Sequence, residues 1–87
     1  MIKGRTESGF EYELDDSVMD DYELLELLTD INKGDARRIV DVAGKLLGLE
    51  QKDRLKEHIR GKEGRVSTKA MWQELLEVLQ GANGKNS

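Results

Sequence analysis

The chain opens on an alternation. In IKGRTESGFEYEL, residues 2–14, apolar or small side chains recur at every second position, the period of a half-buried strand. Placing Glu7-Ser8-Gly9 as a hairpin loop, with Gly9 in the left-handed position, sets Thr6 opposite Phe10, Arg5 opposite Glu11, Gly4 opposite Tyr12, Lys3 opposite Glu13 and Ile2 opposite Leu14. One face then collects Ile2, Gly4, Thr6, Phe10, Tyr12 and Leu14, and the other pairs Arg5 with Glu11 and Lys3 with Glu13. In this register Tyr12 covers the bare backbone at Gly4. A lone two-stranded hairpin is marginal in water, so its apolar face must rest on something.

From residue 20 the period becomes helical. Asp20, with Glu23 three positions on, reads as the N-cap of a helix over 20–32. At about 100° per residue, Leu24, Leu25, Leu27, Leu28 and Ile31 share an arc of about 160°, while Glu23, Glu26 and Asp30 take the other side. Gly34 ends that helix and Asp35 caps the next, over 35–47. Its apolar arc is Ala36, Ile39, Val40, Val42, Ala43, Leu46 and Leu47, opposite Arg37, Arg38, Asp41 and Lys45. Gly48 marks a break or bend. A weaker helix follows over 50–60, with Leu55 and Ile59 as its core contacts, then a glycine turn at GKEGR. Ser67 or Thr68 caps a last helix over 67–80, carrying Met71, Trp72, Leu75, Leu76, Val78 and Leu79. Residues 81–87 read as a flexible tail. The expected fold is mostly α (α+β): a short N-terminal β-hairpin at 2–14 and a compact bundle of about four short helices, in one domain over 1–80.

Composition narrows what such a domain can do. The chain has 87 residues, no cysteine and no proline. A domain of this size buries only about 60–65% of its unfolded surface, so its stability margin is thin. It carries no apolar run of membrane-spanning length and no signal-like N-terminus, so no membrane span is expected, and the absence of cysteine fits a reducing cytoplasm. The formal net charge is -4, but residues 1–31 hold ten acids and two bases while residues 52–69 hold seven bases and three acids. Two readings follow. The acidic first helix lies near the basic segment inside the molecule, or the two make a dipolar surface that steers a partner.

Little points to chemistry. A single histidine without cysteine does not build a zinc site of the usual type, and the acids of residues 15–23 lack the calcium-loop pattern. His58 lies among Lys56, Glu57 and Arg60 on an expected helix edge, with no serine–base pairing visible in the sequence. The glycines form no phosphate-cradling pattern. No cofactor, metal, catalytic residue or small-molecule substrate is expected. The segment 52–69, with Lys52, Arg54, Lys56 and Arg60, and the paired helices around Gly48 suggest as an alternative a helix-turn-helix-like nucleic-acid-binding or regulatory protein. Against that alternative stand the acidic total and the absence of aromatics within the basic run. Protein binding remains the favoured class. Tyr22, Trp72 and Leu76 lie at the edges of apolar arcs and are the expected contact residues, with Glu23, Glu26, Asp30, Lys52, Arg54, Lys56 and Arg60 as electrostatic faces.

Taken in order, SGFEYELDD, DDYELLELL, KLLGLEQ, LKEHIR and EGRV resemble small proteins encoded in the tail modules of phages and prophages of Gram-positive bacteria, a tail-assembly-chaperone-like family. The resemblance runs from about residue 2 to 80. Members often carry proline after the GRV turn, where this chain has Ser67. The resemblance implies a factor for virion assembly in the cytoplasm of the bacterial host; a monomer or weak homo-oligomer is expected. Its implied partners are phage tail proteins, above all the tape measure protein, whose long coiled-coil-prone chain it would hold until tail subunits polymerise around it. The family has no established catalytic residues to carry over.

Overall fold

A computed structural model describes residues 1–84. Strands β1 (Ile2–Arg5) and β2 (Glu11–Leu14) pair antiparallel in the expected register, Ile2 with Leu14, Lys3 with Glu13, Gly4 with Tyr12 and Arg5 with Glu11. The loop closes through Thr6 N–H to Phe10 O at 2.9 Å and Gly9 N–H to Thr6 O at 3.0 Å, and Gly9 takes φ +96°. Thr6, Phe10, Tyr12 and Leu14 are buried on the inner face. On the outer face Lys3 approaches Glu13 at 3.8 Å, whereas Arg5 and Glu11 stand opposite without forming an ion pair.

The hairpin sits on two helices, β2 against α2 (Arg38–Glu63) and β1 against α3 (Thr68–Gly84). Tyr12 makes this seat. Its phenol lies where a Cβ on Gly4 or on Gly81 would be, so both glycines are required by close approach. Gln51 holds the opposite edge. Its Oε1 accepts from Glu13 N–H at 2.7 Å, and its Nε2 donates to Glu13 O at 2.7 Å and to Leu47 O at 2.8 Å. One side-chain amide thus closes the open edge of β2 and takes up a carbonyl at a break in α2.

Three helices are present among the described residues, not four. The expected helices over 35–47 and 50–60 form one element, α2, interrupted at Gly48 (φ +79°, ψ 165°). The hydrophobic pattern restarts on either side of the glycine because the two arms face the core in different directions. The last expected turn is also shorter: α2 continues through Gly61 to Glu63, and Gly64 (φ +80°) terminates it by donating to Arg60 O at 2.8 Å. Helix α1 (Tyr22–Asn32) starts later than expected. A 3-10 turn over Val18–Asp20 buries Val18, and Asp21 rather than Asp20 is the cap, accepting from Glu23 N–H at 2.9 Å and Leu24 N–H at 3.2 Å. Ser67 caps α3 through Ala70 N–H at 3.2 Å. The helix runs on to Gly84 with Ala82 buried, so the first part of the expected tail is structured; residues 85–87 lie outside the described residues.

All of these elements contribute to one core, in which Leu14, Leu24, Leu55, Leu75, Val42 and Val78 are fully enclosed. The weak second arm of α2 is anchored there by Leu55 and Ile59, as its sparse pattern implied. Four residues of the expected arcs are left out: Leu25 is 58%, Val40 72% and Leu76 36% exposed, and Ala36 lies exposed in the turn before α2. Arcs of about 160° are wider than the stripe a single packed helix needs, and the residue at the rim faces water. No helix among the described residues is long and apolar enough to cross a membrane.

Candidate protein-docking groove

Val40 is exposed beside a groove of ≈ 470 Å³. The first arm of α2 supplies Ile39, Val40 and Ala43 on one helical face, the second arm supplies Lys52 and Lys56 one turn apart, and Val66 and Met71 close the far wall. Ile39, Ala43 and Met71 are buried and form an apolar floor. Arg37, Lys52 and Lys56 stand around it as cations. Arg37 is engaged by Asp35 at 3.1 Å and Lys52 approaches Asp53 at 3.9 Å, whereas Lys56 has no ion-pair partner among the described residues. An apolar floor under a basic rim is the negative image of an amphipathic helix edged with carboxylates. A larger recess of ≈ 820 Å³ between the hairpin and residues 47–51 also reaches the buried Tyr12, Leu14 and Leu47, but side chains of both signs, among them Lys3, Arg5, Glu11, Glu13 and Glu50, line it, so it selects no one charge.

Charge is compensated differently from the expected pairing of the first helix with residues 52–69. Helix α1 lies antiparallel to the first arm of α2, and its acids meet that arm instead. Lys45 reaches Asp21 and Glu23, each at 3.2 Å, and Arg38 reaches Asp30 at 3.5 Å. Bonds to Glu23 and Asp21 raise the pKa of Lys45. At Asp21 burial pushes the pKa up, but the Leu24 amide, Lys45 and the Glu23 amide outweigh it and leave the carboxyl below its usual range. Glu26 has no ion-pair partner among the described residues, nor do Lys56, Lys62, Arg65 and Lys69 in the basic segment. Residues 32–51 are thus the internal counterpart of the acidic first third. The sequence sum hid this because Arg38 and Lys45 lie in a segment of nearly balanced charge.

The residues expected to make contacts are dispersed. Tyr22 is 72% exposed on α1, Leu76 is 36% exposed on α3, and Trp72 is half-buried against the core. None of the three lines the groove. Arg54 stacks over the Phe10 ring, with its guanidinium carbon 4.9 Å from the centroid, and Arg60 pairs with Glu57. Lys52 and Lys56 are the expected charged residues that the groove brings together. Val40 was missed because periodicity assigned it to the core; its edge position in the arc is the signal that could have found it.

A second cluster joins the hairpin loop to both long helices. Thr6 Oγ1 donates to Glu74 Oε1 at 2.7 Å, Ser8 Oγ donates to Glu74 Oε2 at 3.0 Å, and Ser8 Oγ lies 2.9 Å from His58 Nε2. Phe10 N–H donates to Thr6 Oγ1 at 3.2 Å, and the Phe10 ring tilts against His58 at 5.8 Å. The resemblance to a serine–histidine–carboxylate triad ends at the protons. Glu74 holds Ser8 and not the far nitrogen of His58, and with the Ser8 proton on Glu74 the Ser8–His58 contact is filled by the imidazole tautomer protonated at Nε2. A general base needs that nitrogen free and its other nitrogen held by the carboxylate. None of the described recesses is lined by Ser8, His58 or Glu74. In this arrangement the cluster works as a half-buried polar lock that seats the loop on α2 and α3.

No family model, characterised protein or solved structure matches this chain.

Proposed function

We propose that this protein is a non-enzymatic binding factor that shelters an amphipathic helix of a partner protein, in the manner of a phage tail assembly chaperone acting on a tape measure protein. The observation that carries the reading is the groove: an apolar floor of Ile39, Ala43 and Met71 with Val40 exposed at its side and Lys56 unpaired on its rim. Monomeric surfaces rarely leave apolar concavities without use, and cations around one select acidic-edged helices. The tail-module partner comes from the likeness of SGFEYELDD, DDYELLELL and KLLGLEQ described above.

Co-expression with the tape measure protein of the same genome tests it. The expected result is a larger soluble fraction of that protein and co-elution of the two chains, both lost with Val40→Glu. No gain in solubility and no co-elution would remove the chaperone reading. The unpaired cations Lys62, Arg65 and Lys69, together with Lys56, favour a second reading, nucleic-acid binding through residues 52–69. It requires a salt-sensitive shift of duplex DNA that Arg54→Glu with Arg60→Glu abolishes. We expect no shift at about 0.15 M salt, where an acidic chain gains little from counterion release.

A further inference from the structure

We propose that, in the absence of another partner, the groove is occupied by helix α1 of a second copy of this chain, docked head to tail. The inference rests on the groove being a helix-docking site, and it identifies a helix that fits it. The outer face of α1 carries Tyr22 and Leu25, 72% and 58% exposed, one turn apart. Glu26, also exposed, lies beside them at the edge of a recess it shares with Arg38 and Lys45, and it forms no ion pair among the described residues. This face offers an aromatic, an aliphatic side chain and a carboxylate outside any ion pair. The groove offers an apolar floor and the uncompensated ammonium of Lys56. Each surface supplies what the other lacks.

A single molecule cannot join them. Helix α1 is held to one side of the first arm of α2 by Arg38 and Lys45. At about 100° per residue, Val40 projects roughly 140–200° around that arm from those two cations. The acidic face and the groove therefore lie on opposite sides of the arm, and their charges meet only between molecules. Such an interface is heterologous: donor and acceptor surfaces differ, so each added copy leaves one of each free. The groove holds a few side chains rather than a whole helix, which puts the contact below the size of a stable interface. Association is then weak, rising over about 10 µM to about 1 mM, and open to displacement by a better-fitting helix.

Sedimentation of the full chain over that range tests the proposal, with two surface variants. Leu25→Glu spoils the α1 face and leaves the groove. Val40→Glu spoils the groove and leaves the α1 face. Both sites are exposed, and unchanged helical signal and melting confirm that each variant folds. The expected result is concentration-dependent growth of the wild type, weakened by salt, and a monomer for each variant alone. An equimolar mixture of the two should give a dimer that grows no further, because only one intact pair of surfaces remains. Three results would overturn the proposal: a wild type monomeric throughout, variants that still associate alone, or a mixture that stays monomeric while the wild type assembles. The parent reading has its own readout. If Val40→Glu abolishes co-elution with the tape measure protein while the wild type never self-associates, the groove docks a foreign helix and the second copy is excluded.

Discussion

At the scale of single residues, the seat of the hairpin depends on atoms that are missing. Gly81 lies within helix α3, where alanine would ordinarily be favoured by about 1 kcal/mol. Here the Tyr12 hydroxyl occupies the space a methyl needs, so Gly81→Ala should destabilise by roughly 1–3 kcal/mol, the usual range for overpacking. At Gly81 the clash is with the hydroxyl oxygen, while at Gly4 the ring carbon beneath it is also in the way. Tyr12→Phe should therefore rescue Gly81→Ala and fail to rescue Gly4→Ala. A thermal double-mutant cycle that shows equal rescue, or none, would disprove this geometry. The same phenol gives a pH test. Burial, reinforced by the negative charge of Glu77, raises the Tyr12 pKa above its ordinary 10.0. The folded state then keeps a proton that the unfolded state releases, so stability is intact below about pH 10 and falls as pH rises through that value toward the raised one. Melting temperatures followed through this window should fall more steeply for the wild type than for Tyr12→Phe.

At the scale of elements, α2 shows what pattern-reading sees and what it misses. The alternation at residues 2–14 yielded the register, because charge pairing, burial and turn chemistry all demanded one alignment. The arcs of the helices were legible for the same reason: Leu24, Leu27, Leu28 and Ile31 in α1, Ile39, Val42, Ala43 and Leu46 in α2, and Met71, Leu75, Val78 and Leu79 in α3 recur at spacings that a helix brings to one face. Gly48 was legible as an interruption. Whether it separates two helices or breaks one depends on long-range contacts that leave no periodic trace, and Gln51 makes those contacts. Three of its hydrogen bonds reach β2 and the preceding turn, and nothing in the run LEQKD distinguishes it from an exposed polar residue. Gln51→Ala should destabilise by about 0.5–1.5 kcal/mol, since it removes hydrogen bonds to both elements at backbone groups that water can reach. Gln51→Glu keeps the shape but replaces two N–H donors with an acceptor, so it should restore little. Chemical denaturation of the two variants checks both expectations; a wild-type midpoint for either would show that water replaces the bridge without loss. The polar lock was illegible for a related reason. Ser8, His58 and Glu74 lie far apart in the sequence and meet only once the hairpin is seated.

At the scale of the whole molecule, the basic segment survives as a surface feature because the acids of α1 are neutralised by Arg38 and Lys45 and not by residues 52–69. The candidate groove was only partly legible: its cations stood out, while its apolar floor required the two arms of α2 to converge. That convergence is set by one backbone angle. A continuous helix of 26 residues would extend roughly 39 Å at 1.5 Å per residue, longer than the 34 Å that the described residues span along their longest axis. The chain is therefore compact only while Gly48 stays bent. Its φ of +79° is one that a side chain resists, and Gly48→Ala sets that strain, about 1–3 kcal/mol, against a helix free to straighten. Straightening carries Leu55, Ile59 and α3 away from their own hairpin, and the surfaces left open are complementary only to those of another molecule in the same condition. The expected product, after refolding at high concentration, is a dimer that exchanges the C-terminal half of each chain, with unchanged helix content and slow dissociation on dilution. Light scattering distinguishes it from a destabilised monomer. Gly48 would then be what keeps each chain folded on itself.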